Sequence, residues 1–205
     1  LGFGLLTWLG IGLPEVRGWV AFWHYALGFS LAGGGLLAST FHLGNPQRFL
    51  MAFSQWRSSW LSREGCLAVA ALAVLGLFAI GKIFLEANWQ VLGYLGAILA
   101  VLTVFATSMI YAQLKTVPRW NHWSTPALFL LLSLSGGGLL AAQILPSMIL
   151  LALAGALQLA AWLSGDGRFE SRGTDIGTAT GLGVRGIVRA FEPPHTGNNY
   201  LLKEM

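Results

Sequence analysis

The sequence predicts an all-α fold: a polytopic bundle of transmembrane helices. Three observations carry that prediction. Of the 205 residues, 55% are hydrophobic and only 10% charged, with a mean hydropathy of +0.66. Soluble domains carry about 25% charged residues, enough to cover a folded surface with polar groups. The charges are also segregated. Residues 1–164 hold seven Lys/Arg and three Asp/Glu, whereas residues 165–205 hold five of each. Finally, the first part divides into uncharged runs close to the roughly 20 residues that a helix needs to cross a bilayer.

The elements follow in order. Residues 1–12, LGFGLLTWLGIG, are an apolar stub too short to span, so the sequence is expected to be part of something longer. The next span covers 19–41, with His24 as its single histidine and no charge. A third covers 65–85, interrupted only by Lys82 near its end, and a fourth covers 91–114, uncharged. Then come 123–145 and the short 147–164, both uncharged and joined tightly at Pro146, which predicts an antiparallel hairpin. About five spans plus a partial first helix are therefore expected, followed by a polar loop or tail over 165–205. A barrel is excluded, because barrel strands alternate apolar and polar residues over about ten positions. Runs such as VLGYLGAILAVLTVFA are apolar on every face. Within lipid only a helix satisfies its backbone hydrogen bonds inside one segment. Trp19, Trp56, Trp60, Trp89, Trp120, Trp123 and Trp162 fall at or just outside the span ends, where indole prefers to sit.

The basic residues set the orientation. The connections after the second and fourth spans carry Arg48, Arg57, Arg63, Lys115 and Arg119; the opposite side carries Arg17 and Lys82. Five against two places the former loops, and the start of the tail, in the cytoplasm. The isoelectric point near 9.6 does not indicate nucleic acid, because the cations sit between apolar runs and form no stripe. The single cysteine, Cys66, excludes an internal disulfide and any iron–sulfur or structural zinc site made from the protein's own thiolates. An internal echo, AGGGLLAS at 32–39 and SGGGLLAA at 135–142, reads first as close helix packing and secondly as an inverted duplication.

Residues 39–65, STFHLGNPQRFLMAFSQWRSSWLSREG, hold the polar residues most able to do chemistry. His42 ends one helix and Glu64 begins the next, so both lie at one membrane face. Two readings of Glu64 compete. It can be a first-turn acid that suits the helix dipole behind a Ser62 cap. Alternatively, an ionisable pair at the membrane boundary marks a proton or substrate route. Quinone chemistry fits that pair: an imidazole hydrogen-bonds one quinone oxygen and a carboxylate handles a proton. The other histidines are weaker. His24 is expected to bond a neighbouring helix, His122 to be interfacial, and His195 has no evident partner in the tail. His42 and His122 share a face and stay open as an axial pair, but no two histidines lie well inside two spans, so no haem is expected. Rival readings are a scaffold without its own site and a secondary transporter, although a transporter site belongs near the midplane.

The 39–65 run, with YAQLKTVPRWNHWSTP and EPPHTGNNYLLKEM, resembles the membrane anchor subunits of dimethyl sulfoxide reductase, which are related to polysulfide reductase anchors. The resemblance covers most of residues 30–205, and HLGNP together with SWLSRE carries it. It implies eight helices in the full protein and a three-subunit oxidoreductase: a molybdopterin catalytic subunit, an iron–sulfur electron-transfer subunit, and an anchor that exchanges electrons with quinone. Metals would belong to the partners alone. The family's quinol-binding His and Glu fall on His42 and Glu64, with Arg63 and Trp60 beside them in the same pocket. The loop charge departs from the exported dimethyl sulfoxide reductases, whose partners face the periplasm. It points to partners on the cytoplasmic face of a bacterial inner membrane, as in quinone-linked sulfite dehydrogenases. A terminal reductase oxidising quinol is the alternative.

Overall fold

The computed structural model describes residues 1–41, 50, 51, 53–85, 87, 89–115, 117–165, 167–173, 177 and 181–187. Within these it is helical: α1 (Gly2–Gly10), α2 (Gly18–Phe41), α3 (Trp60–Phe84), α4 (Gln90–Ala112), α5 (Ser124–Leu140), α6 (Ile144–Gly165) and the short α7 (Gly167–Arg172). No strand occurs among the described residues. Four helices, α2, α3, α4 and α6, are long and apolar enough to cross a membrane. Helix α5 has 17 residues, which is roughly 26 Å at 1.5 Å per residue.

The packing is that of a bundle solvated by lipid. Alanine supplies most of the buried apolar positions, and leucine, isoleucine, valine and tryptophan crowd the outside. Lipid tails are as apolar as leucine, so burying leucine gains little in a membrane. Small residues instead let helix backbones approach. Helix α1 shows this best. It contacts α2, α3, α4 and α5, and Leu5, Leu6 and Leu9 form the centre of the buried cluster. A side chain on Gly4 would collide with the backbone of Ser133 in α5, and one on Gly137 with the backbone of Gly4. On α4, Gly93 stands in the same relation to Gly10.

Polar side chains complete the seating of α1. Trp8 Nε1 donates to the Leu134 carbonyl of α5 at 2.9 Å. Tyr25 Oη of α2 donates to Leu9 O at 3.3 Å, and Gln90 Nε2 of α4 to Gly10 O at 2.9 Å. The last carbonyls of a helix have no partner within it, and the Gln90 bond satisfies one of them, Gly10 O, while Tyr25 adds a second donor to Leu9 O. Gly12, at φ 91, then reverses the backbone, with Gly12 N–H on Leu9 O and Leu13 N–H on Trp8 O. That pair of bonds around a left-handed residue is a Schellman termination.

Two boundaries differ from the sequence expectation. Helix α3 starts at Trp60, five residues before the predicted 65, and its cap is Ser59, whose side chain accepts from Ser62 N–H. Ser62 is not the cap; it is buried one turn inside. Charge alone had excluded Arg63 and Glu64 from the span, but a long cation at a helix end can reach outward from it. The hairpin turn lies at 141–143, not at Pro146. Ala142 takes a left-handed φ of 55, Ala142 N–H bonds Leu139 O, and Gln143 N–H bonds Gly138 O at 2.8 Å. Pro146 falls in the first turn of α6, where a missing N–H costs nothing.

Candidate functional site

Because Ser59 is the cap, Glu64 is the fifth helical residue and no acid occupies the first turn of α3. The dipole reading of Glu64 therefore loses its geometry, since that effect fades beyond the first turn. Instead Glu64 lies about 6 Å below the start of α3 and lines a cavity of about 510 Å³. The cavity is bounded by the start of α1, by α2 from Leu31 to Ser39, and by Val104, Phe129 and Leu132 from α4 and α5. Its wall is mostly apolar, interrupted by Ser39, Thr107 and Ser133, with Glu64 as its one acidic side chain among the described residues.

Thr107 of α4 fixes the carboxylate. Its hydroxyl lies 2.7 Å from Glu64 Oε1 and 3.0 Å from the Thr103 carbonyl, one turn back in its own helix. A hydroxyl has one proton to give. When Glu64 is ionised, Thr107 donates to the carboxylate. When Glu64 is protonated, the acid donates to Thr107, and Thr107 donates to Thr103 O. Rotation of one hydroxyl thus provides a hydrogen bond for either state, with no movement of the helices. A group that must gain and lose a proton in an apolar wall needs such a partner.

Trp60 and Arg63 form a separate cluster beside this one. The Arg63 guanidinium stacks over the Trp60 ring at 4.3 Å, and Trp60 packs edge-on against Phe105 of α4 at 6.0 Å between centroids. Arg63 Nε donates to Trp56 O at 2.9 Å, and Nη2 to Arg57 O at 2.6 Å. These bonds hold the approach to α3. Neither Trp60 nor Arg63 is on the cavity wall. His42 lies outside the described residues, as do Arg48 and the 192–205 segment. Of the three predicted site residues that are described, Glu64 is the one on the cavity wall.

The remaining described histidines are engaged locally. His24 Nδ1 donates to Val20 O at 2.8 Å in its own helix, not to a neighbouring one. At the start of α5, the Ser124 amide donates to His122 Nδ1 at 3.2 Å, and the Ser124 hydroxyl lies 2.9 Å from the same nitrogen. Partial burial first, and the charge of Arg168 second, lower the His122 pKa below its ordinary 6.5. At the far end of the bundle, Arg17, Lys82 and Glu15 line a second depression of about 440 Å³ with Gln90 and Tyr94.

Two features of the cavity were not read from the sequence: Thr107, and Ser133 of α5 on the same wall. Hydroxyl residues in apolar helices usually bond their own backbone, so composition does not mark them out.

Comparison with known proteins agrees with these features. Residues 19–164 match the family described as DMSO reductase anchor subunit (DmsC). The C subunit of sulfite dehydrogenase from Allochromatium vinosum is 35% identical over 121 residues, covering 53% of this protein and 37% of that relative. The anaerobic dimethyl sulfoxide reductase component YnfH of Escherichia coli is 36% identical over 123 residues, 56% of this protein and 41% of the relative. The C component of the Escherichia coli anaerobic dimethyl sulfoxide reductase is 32% identical over 128 residues, 61% and 42% respectively. The matched stretch thus spans about two fifths of each relative. No solved structure gives a significant match. With its apolar helices, and with well over half its length matched, the protein belongs to the DMSO reductase anchor subunit family.

Proposed function

We propose that this protein is the quinone-reactive membrane anchor of a molybdenum and iron–sulfur oxidoreductase complex, and that Glu64 handles a proton of the quinone. The observation that carries the reading is Glu64 itself: a carboxyl group in an apolar cavity near one end of the bundle, with a hydroxyl partner suited to both protonation states. A quinone is a flat apolar ring with polar oxygens at its edge, which is the chemistry such a wall accommodates. Reducing it to quinol takes two electrons and two protons. The electrons come from the iron–sulfur partner, because the anchor holds one thiol. Glu64 delivers one proton and, once recharged from the adjacent aqueous face, the second; His42 orients a quinone oxygen. In the opposite direction Glu64 accepts the proton instead.

The direction we favour is quinone reduction by a cytoplasm-facing sulfite dehydrogenase in the bacterial inner membrane. Two observations support it: the loop charges of five against two, and the relative named as a sulfite dehydrogenase component. The two dimethyl sulfoxide reductase relatives support the second reading, an anchor that oxidises quinol for a terminal reductase. Binding of a quinone-site inhibitor to membranes holding the complete complex tests the shared core of both. Glu64→Gln is expected to weaken it about tenfold, the loss of a hydrogen bond to a charged group. Unchanged affinity would overturn the assignment of the cavity.

A further inference from the structure

The end of the bundle opposite Glu64 gathers charges of both signs. The connection from α1 to α2 supplies Glu15 and Arg17, and the last turn of α3 supplies Lys82. With Gln90 and Tyr94 of α4 they line the depression of about 440 Å³. Glu15 and Arg17 are exposed, and neither these two nor Lys82 makes an ion pair among the described residues. Lys82 Nζ lies instead 5.8 Å from the centre of the Phe78 ring. The Gln90 amide donates to Gly10 O, which leaves its side-chain carbonyl as an acceptor. A cation in a last turn suits the helix dipole, and that alone would account for Lys82. It does not account for a second cation and a carboxylate in the same depression.

The depression continues into the membrane. Ile11 and Tyr94 also line an apolar groove of about 460 Å³, together with Thr7 of α1 and Ile98, Val101 and Leu102 of α4. The Thr7 hydroxyl is spent on Phe3 O at 2.7 Å. Tyr94, Ile98, Val101 and Leu102 recur at helical spacing and so form one stripe on α4. The stripe begins just over a turn inside the helix and runs about 12 Å towards the middle of the bundle. Tyr94, Ile98 and Leu102 are exposed, so the groove opens outward along its length. A charged depression at the membrane boundary that leads into an apolar groove has the division of a phospholipid: headgroup, then acyl chain.

We propose that this end of the protein binds one phosphatidylethanolamine molecule. Arg17 and Lys82 hold its phosphate, the Glu15 carboxylate and the Gln90 carbonyl accept from its ammonium, and an acyl chain lies in the groove between α1 and α4. Charge selects among lipids. A phosphodiester is an anion that two cations hold by charge-assisted hydrogen bonds. Ethanolamine ends in a primary ammonium with three N–H donors, like that of lysine. Choline has no N–H to give, and a headgroup that is only anionic brings no cation to Glu15. The site is distinct from the Glu64 cavity and independent of the quinone reading.

The test titrates the purified complete complex in detergent and counts bound lipid by native mass spectrometry. The probes are dioleoyl phosphatidylethanolamine, the phosphatidylcholine and phosphatidylglycerol with the same chains, and glycerophosphoethanolamine, which is the headgroup alone. One phosphatidylethanolamine is expected to bind about tenfold more tightly than either other lipid, and the bare headgroup to stay unbound at the same concentrations. Glu15→Gln is expected to erase the preference over phosphatidylcholine by weakening phosphatidylethanolamine alone. Arg17→Gln is expected to weaken both about tenfold. Quinone-site inhibitor binding is expected to stay native in both variants, which reports an intact complex. A preference that survives Glu15→Gln, equal or tighter binding of either other lipid to the native complex, or tight binding of the bare headgroup would overturn the proposal. So would the absence of any saturable lipid, the result if another segment of protein fills the groove.

Discussion

At the residue scale, a carboxyl group in a mostly apolar wall is tolerated because it has a hydrogen-bond partner in each protonation state. Thr107 gives Glu64 a partner in either protonation state. Thr107→Val keeps the shape and removes the hydroxyl, so quinone-linked turnover is expected to fall about tenfold, with KM little changed, because the loss falls on proton handling. Unchanged kcat in steady-state assays would contradict this. The cap gives a second residue-scale prediction. Ser59→Ala is expected to cost about 1 kcal/mol, and Ser62→Ala close to nothing, because the Ser59 side chain holds an amide and the Ser62 hydroxyl has no partner among the described residues; denaturation in detergent measures both. A third concerns His122. Its folded pKa lies below 6.5, so it is neutral at pH 7 and becomes charged only as pH falls further. Charging it ends its acceptance of the Ser124 amide. Arg168→Gln is expected to raise its midpoint in a histidine NMR titration, by relieving the smaller of the two causes.

At the element scale, close approach decides which substitutions matter. A side chain on Gly137 would meet the Gly4 backbone, whereas one on Gly33, Gly34 or Gly35 meets nothing among the described residues. Gly137→Ala is therefore expected to destabilise the bundle by about 1–3 kcal/mol, and Gly33→Ala to be neutral or slightly stabilising. Equal melting temperatures for the two variants would count against the packing of α1 on α5. The contrast also separates the two copies of the glycine echo among the described residues: the second packs a glycine, Gly137, against α1, whereas the first meets Gly2 of α1 through Ala32 and leaves Gly33, Gly34 and Gly35 without a close neighbour. Most of the helix positions were legible, because runs apolar on every face have few other solutions in lipid. The hairpin turn was not, since Ala142 in a left-handed conformation carries no composition signal and Pro146 drew attention instead. Glu64 was legible as a charge beside an apolar run. Thr107 and Ser133 were not, because their roles depend on which face of α4 and α5 meets the cavity. Arg63 adjoins Glu64 in sequence, yet consecutive helix residues face different ways; Trp60, one turn earlier, faces α4 as Glu64 does, but packs on Phe105 nearer the helix end and off the cavity wall.

At the scale of the whole molecule, the anchor divides its polar groups between two ends. One end carries Glu64 and its cavity; the other carries Arg17, Lys82 and Glu15. On the proposed orientation, argued from the loop charges, the Glu64 end faces the cytoplasm. A reporter fused after residue 48 is expected to read as cytoplasmic, and a periplasmic signal would remove the argument for sulfite oxidation while leaving the cavity untouched. The central claim is that quinone exchanges its proton at Glu64. The most direct measurement is the ratio of quinone-linked to dye-linked turnover for Glu64→Gln in the complete complex, where a soluble dye bypasses the membrane site. Dye-linked turnover is expected to stay native while quinone-linked turnover falls about a hundredfold; a native ratio would rule out proton exchange at Glu64.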